Sequence, residues 1–371
     1  MPDIVIPDSI KPLDGRFGCG PSRMRSEQLT AFEDFGKHFM GTSHRQEPIK
    51  HLVGDFKQGL LEMFHAPAGY EIIMGNGGAS AFWDAATFSL VEQKGQALVH
   101  GEFGNKFANI LNTPWLEAPT VISVDPGSRG DLIAEEGVDV YAYPHNETSS
   151  GVVTDVKRVK GADENALMLT DATSAAGGID FDPKQTDVYY FSPQKNLASD
   201  GGLWIALVSP KAIGRIEAVA SSGRYIPNIL SLELALENSR QNFTLNTPSL
   251  ATIFFANNQV QWINDNGGLA WADSRTRQSS DLLYNWAEKT EVTKPFVENP
   301  AHRSQVVATI NFDDSIDALG IASILRDNGI VDTEPYRKLG KNQLRIATFV
   351  STEPSEVERL IASIEYVLER I

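Results

Sequence analysis

A chain of 371 residues with 42% hydrophobic and 22% charged residues can bury one large core and a second, smaller one, and its composition excludes extended disorder. The formal net charge of −16 repels polyphosphate backbones, so nucleic acid is excluded as an expected partner, although a local cluster of arginines around a small anion is not. A single cysteine, Cys19, excludes an internal disulfide and a zinc site built from cysteines.

The first fifteen residues carry Asp3, Asp8 and Asp14 among Pro2, Pro7 and Pro12, without the basic stretch and apolar run of a secretory signal. No apolar stretch approaches the roughly 18 residues of a membrane helix. A soluble cytoplasmic protein with no membrane partner is the expectation. Short apolar runs then predict strands over 70–74, 97–100, 120–124, 138–143, 166–170, 188–191 and 203–208, with a helix over 79–90. Such runs, separated by segments of helix length, imply an α/β fold with a mostly parallel sheet covered on both faces. The character changes around Asn246 and Pro248, where an amphipathic helix over 249–264 is stopped by Gly267 and Gly268. Beyond it, strands over 306–312 and 344–348 and helices over 316–328 and 356–370 suggest a small α+β unit. The expected organisation is a large domain over 16–255 and a small C-terminal domain over 256–371, on which residues 1–15 pack.

In open parallel sheets, ligands sit beyond the carboxyl ends of strands, and several polar clusters fall there. Gly75-Asn76-Gly77-Gly78-Ala79-Ser80 follows a strand and opens a helix, so it suits either a tight structural turn or a phosphate cup. It is not a Walker loop, and Ser80 replaces the last glycine of a dinucleotide fingerprint. Asp171 ends the run from 166; alone, it reads as a helix cap. Lys195, in Ser192-Pro193-Gln194-Lys195-Asn196, lies in a turn between two buried strands, where an ordinary surface lysine is not expected. A lysine and an aspartate at neighbouring strand ends suit pyridoxal phosphate: the amine forms a Schiff base, and the carboxylate keeps the ring nitrogen protonated. The glycine-rich segment then supplies the phosphate site.

At this point the chain resembles the phosphoserine aminotransferases, class V enzymes of the fold-type I pyridoxal-phosphate group, and most of all their actinobacterial branch. The matching stretches are Gly18 to Ser22, Gly41 to Arg45, Gly77-Gly78-Ala79, His145 to Thr148, Asp171 to Ser174, Pro193 to Asn196, Asn246-Thr247-Pro248 and Tyr336-Arg337. The resemblance implies a homodimer with shared active sites. It implies transfer of an amino group between glutamate and 3-phosphohydroxypyruvate, giving 2-oxoglutarate and phosphoserine in serine biosynthesis. The 4-phosphohydroxythreonine pair of pyridoxine biosynthesis is a further candidate. By the same resemblance, Lys195 carries the cofactor and moves the substrate proton, Asp171 pairs with the ring nitrogen, Thr148 bonds the phenolic oxygen and Phe103 stacks on the ring. Ala79, Ser80 and Gln194 hold the cofactor phosphate, with Asn246 and Thr247 of a neighbouring subunit. Arg337 grips the substrate carboxylate; His44 and Arg45, reaching across the dimer, bind the substrate phosphate with Arg345. Many relatives have Trp at Phe103, His at Tyr336 and Arg at Ser80, and a shorter segment between Arg337 and Arg345.

A substrate set that includes phosphoserine and glutamate needs two separate cationic clamps, for which guanidinium is suited. Arg45 beside His44, and Arg337, Lys338, Lys341 and Arg345, offer them; a solvated basic loop is the plainer reading. The seven histidines show no metal spacing, and His38, His51, His65 and His302 read as surface or packing residues. Phe82, Trp83 and the aromatics between Phe243 and Trp262 read as core. Cys19, far in sequence from Lys195, argues against a cysteine desulfurase. Three rivals remain: an alanine/serine–glyoxylate type of class V aminotransferase, a non-catalytic cofactor-binding protein, and a nicotinamide-dependent dehydrogenase, the last disfavoured by the incomplete glycine pattern.

Overall fold

Apolar runs buried on both sides cannot stand at a water-facing surface, and in the computed structural model, which describes residues 4–371, they assemble into one seven-stranded sheet. In chain order the first elements are α1 (Ser26–Phe39), α2 (Glu47–Met63), β1 (Glu71–Asn76), α3 (Gly78–Ser89), β2 (Gly95–Val99), α4 (Glu102–Leu111) and β3 (Thr120–Ser123). Then come β4 (Val140–Pro144), the short pair β5 (Asn146–Glu147) and β6 (Val152–Val153), β7 (Leu167–Asp171), β8 (Val188–Phe191), β9 (Leu203–Val208), α5 (Pro210–Ser221) and α6 (Leu232–Arg240). The chain continues through α7 (Leu250–Asp265), α8 (Gly268–Lys289), β10 (Thr293–Pro295), β11 (Val307–Phe312), α9 (Ala318–Asp327), β12 (Gln343–Ala347) and α10 (Pro354–Leu368).

The large sheet runs β1-β9-β8-β7-β4-β2-β3. Its pairings from β3 through β8 are parallel, whereas β9 runs antiparallel to both β8 and β1. The ends of β1, β4, β7 and β8 therefore emerge at one edge, and the turn that reverses the chain into β9 lies there too. Strand alternation divides the core between the two faces. Tyr189 and Phe191 of β8 pack with α2 and α7, and Val188 and Tyr190 pack with α3 to α6.

Every strand expected along the sheet is present, those over 188–191 and 203–208 with the expected ends and the others shifted by at most two residues, and the fold is the α/β architecture anticipated. Ser249 caps α7 by accepting the amide of Thr252 instead of lying inside the helix. Gly267 and Gly268, at φ +117° and +71°, break α7 as expected, but the chain then turns straight into α8. The sequence does not signal that helix, because small polar residues, Thr276, Ser279 and Ser280, occupy buried positions on it and blur the apolar stripe. A second sheet, β10-β11-β12, is covered by α8, α9 and α10, and Ile4, Ile6 and Phe17 join its core beside Ile310, Ile346, Leu360 and Ile364. Of the N-terminal segment expected on this unit, residues 1–3 lie outside the described residues.

Candidate active site

The turn between β8 and β9 cannot expose Lys195, because chain segments close over it. Ser22 donates its amide to the Gln194 carbonyl at 2.8 Å and its hydroxyl to the Lys195 carbonyl at 2.6 Å. Asn196, fully buried, donates to the Ser174 carbonyl at 2.9 Å and accepts the Val350 amide at 3.2 Å. The lysine side chain is left 8% exposed, with its ammonium nitrogen bonded to the Cys19 carbonyl. Burial lowers the Lys195 pKa to about 8, with Arg345 acting in the same direction and Cys19, Asp171 and Glu147 opposing. At that pKa roughly a tenth of the amine is neutral near pH 7, against less than about a thousandth for an ordinary lysine, which makes it a usable nucleophile and base. Gly20 is required here: it sits at φ +135°, and a Cβ would fall 2.5 Å from Nζ. Cys19, far away in sequence, is thus a direct neighbour of Lys195, and burial pushes its thiol pKa up, away from the thiolate.

Asp171 ends β7, level with Tyr190 of β8 in the sheet register. Its Oδ1 accepts the Thr173 amide at 2.9 Å and its Oδ2 the Trp83 indole N–H at 3.2 Å; burial raises its pKa against these donors. Trp83 is therefore more than the core residue expected from its apolar neighbours: it lines the cavity and touches the key carboxylate. That cavity, about 440 Å³, brings together Ala79, Ser80, Phe103, Thr148, Asp171, Gln194 and Lys195. Ala79 and Ser80 stand in the first turn of α3, whose dipole favours an anion; the Ala79 amide is held by Ser192 Oγ at 2.8 Å. Thr148 donates its hydroxyl to Ser174 at 2.8 Å, and Asn146 reaches the same oxygen at 2.9 Å. Phe103 is fixed from behind by Glu147, a fully buried carboxylate that accepts the amides of Phe103 and Gly104 at 3.2 and 3.0 Å. Neither Glu147 nor the Trp83 contact was signalled locally, since both partners lie distant along the chain.

A second cavity, about 460 Å³, shares Gly20 and Pro21 with the first and is lined by Cys19, Tyr336, Arg337, Lys338 and Arg345. Arg345 projects from β12, donates to the Thr148 carbonyl at 3.1 Å and lies 5.2 Å from the Tyr336 ring centre. Arg337 is exposed, and Lys338 is paired with Glu102. The remaining four candidates are not brought into either cavity of this chain. His44 packs edge-on against Phe243, Arg45 is exposed, and Asn246 and Thr247 lie in the loop before α7, where the Thr247 carbonyl accepts Asn76 at 3.1 Å.

The residues fit pyridoxal phosphate. Asn146 Oδ1 and Gln194 Oε1 are buried around the first cavity without partners in the protein, and Arg345 Nε is buried likewise at the second. Such groups call for a polar ligand. An apolar face at Phe103, an amine, a carboxylate and a helix N-terminus match a flat heterocycle bearing an aldehyde, a ring nitrogen and a phosphate.

Residues 18–333 match the family described as "Aminotransferase class-V". The phosphoserine aminotransferase of Rhodococcus jostii (strain RHA1) is 52% identical over 368 residues, covering 99% of this chain and 98% of its own. The crystal structure of a phosphoserine aminotransferase from Cytophaga hutchinsonii superposes with a TM-score of 0.87 at 22% identity, covering 97% of this chain and all of its own. A ureidoglycine–glyoxylate aminotransferase from Bacillus subtilis superposes at 0.82 with 19% identity, covering 97% of this chain and 94% of its own, so the shared fold does not select a substrate.

Proposed function

The chain belongs to the class-V aminotransferase family, and from that premise we propose that it transfers an amino group between glutamate and 3-phosphohydroxypyruvate with pyridoxal 5'-phosphate, giving 2-oxoglutarate and O-phospho-L-serine in serine biosynthesis. One observation carries the reading. A buried amine with its pKa lowered to about 8 shares a cavity with a half-buried carboxylate and a helix N-terminus, and that cavity adjoins another bearing Arg337 and Arg345.

When bound, the cofactor supplies a protonated ring that accepts the electron pair released at the substrate Cα. Lys195 Nζ holds the cofactor covalently at rest and takes the Cα proton during turnover, a task for which a base of pKa about 8 is matched. Asp171 would keep the ring nitrogen protonated, Thr148 would turn its hydroxyl from Ser174 to the phenolic oxygen, and Phe103 would cover one ring face. The α3 terminus at Ala79 and Ser80, with Gln194, holds the phosphate. Arg337 takes the substrate carboxylate and Arg345 its phosphate.

The protein acts as a homodimer in this reading: His44 and Arg45 of one subunit add to the phosphate clamp of its partner, and Asn246 and Thr247 add to the cofactor phosphate site. Support comes from their positions, since all four lie outside both cavities of their own chain. The same clamps suit the longer 4-phosphohydroxythreonine pair, which extends the proposal to pyridoxine biosynthesis. Among the described residues no helix is long and apolar enough to cross a membrane, and the cytoplasm is the proposed location.

The test is a coupled assay with glutamate and either 3-phosphohydroxypyruvate or hydroxypyruvate. Arginines left unpaired by the missing phosphate predict discrimination of roughly 10⁴-fold in kcat/KM. Equal turnover of alanine or serine with glyoxylate would transfer the assignment to that branch of the family. A yellow protein that gives no half-reaction with any amino acid would end the catalytic reading.

A further inference from the structure

Asp171 is served by two side chains whose chemistry exceeds what packing requires. The Trp83 N–H donates to Asp171 Oδ2 at 3.2 Å and to the Tyr190 hydroxyl at 3.0 Å. Trp83 is 3% exposed and Tyr190 fully buried, so neither polar end is satisfied by solvent. Both rings are held in place. Tyr190 stacks on Phe82 with centroids 4.4 Å apart, and Trp83 stacks on Phe107 at 6.2 Å. Three elements converge here: Trp83 comes from α3, Asp171 from β7, and Tyr190 from β8, directly opposite Asp171 in the register.

We propose that Trp83 and Tyr190 are positioning residues that keep Asp171 ionised and aimed at the cofactor's ring nitrogen. The inference rests on the reading of Asp171 given above. An indole N–H is a donor only, so it stabilises the carboxylate and cannot take a proton from it. Because Tyr190 Oη accepts the indole N–H, its own proton is free to turn to the same carboxylate. Burial holds the Tyr190 phenol well above its ordinary pKa, so it stays a donor. Burial at the cavity floor raises the Asp171 pKa, and without these two donors only the Thr173 bonds would oppose it, so the acid would move toward its neutral form, which does not hold a proton on the pyridine nitrogen.

Two substitutions test this, W83F, which removes the N–H, and Y190F, which removes one oxygen and keeps the stacked ring. In apoprotein carrying ¹³C-carboxyl aspartate, Asp171 should titrate at higher pH in both variants than in the wild type. In holoprotein loaded with ¹⁵N-labelled pyridoxal phosphate, the ring nitrogen should move toward the neutral-pyridine resonance. Turnover should fall about tenfold, the cost of one hydrogen bond to a charged group, while KM for glutamate changes by less than about twofold. If W83F does not fold, Y190F decides alone. Unshifted Asp171 titration in a folded variant overturns the inference. A D171N holoprotein whose ¹⁵N resonance matches the wild type overturns the reading of Asp171 beneath it, whereas a shifted D171N beside unshifted W83F and Y190F removes only the role given to Trp83 and Tyr190.

Discussion

At the scale of single residues, the buried amine of Lys195 sets a pH dependence with a definite sign. Its pKa is about 8 in the folded apoprotein against an ordinary 10.5, so below pH 8 folding must bury a charge that the unfolded chain leaves in water. The stabilising contribution is therefore present above pH 10.5 and lost as pH falls through 8, a penalty on the order of 3 kcal/mol. Urea unfolding of apoprotein should show Lys195→Met more stable than the wild type at pH 7, with the gap narrowing toward pH 10. A gap independent of pH would show that the amine is not desolvated. Gly20 makes a second claim at this scale. Gly20→Ala places a methyl group 2.5 Å from Nζ at a positive φ. About 1–3 kcal/mol of stability should go, together with at least tenfold of turnover, because the lysine must move. Wild-type melting and activity in that variant would contradict the close approach.

At the scale of elements, α4 has an unusual cap. The N-cap position is Gly101, which has no side chain, and the capping carboxylate is that of Glu147 on β5. A Cβ on Gly101 would lie 2.4 Å from Glu147 Cγ, so the glycine makes room for the acid. Ser149 completes the arrangement, donating its hydroxyl to Glu147 at 2.6 Å. A carboxylate at a helix N-terminus is favoured by the dipole even when burial raises its pKa. Glu147→Ala leaves the Phe103 and Gly104 amides of α4 unpaired, the Glu102 amide staying with Ser149, and frees Phe103. The expected result is a loss of about 1–3 kcal/mol in urea melts and faster release of the cofactor on dialysis. Unchanged release would mean that Phe103 is positioned by something else. The direction of β9 also belongs here: six consecutive buried residues read the same whether the strand runs up or down, so periodicity carries no sign of its reversal.

At the scale of the whole molecule, the C-terminal unit is stitched to the lysine turn. Val350 donates to Asn196, Arg345 reaches the Thr148 carbonyl, and the Ala347 amide bonds the Phe17 carbonyl at 3.0 Å. Arg275 adds a hydrogen bond to the Val350 carbonyl at 2.8 Å, and the guanidinium groups of Arg25 and Arg275 lie 4.3 and 5.7 Å from the Trp262 ring centre. The position of Arg345 over the second cavity thus depends on how the two sheets dock. Arg345→Ala should raise KM for 3-phosphohydroxypyruvate on the order of 100-fold while that for hydroxypyruvate stays nearly constant. Equal effects on both would remove Arg345 from the phosphate clamp. The sequence by itself determined what depends on neighbours a few residues apart: the apolar runs that become strands, the placing of Asp171 and Lys195 at strand ends, and the glycine-rich opening of α3. Only the tertiary structure decided the reversal of β9, the Cys19 carbonyl against the lysine, the Trp83 and Glu147 contacts, and the distance of His44, Arg45, Asn246 and Thr247 from the cavities of their own chain. The physical reason is that these contacts join segments far apart in the chain, and burial and packing choose among them after local preference has been spent.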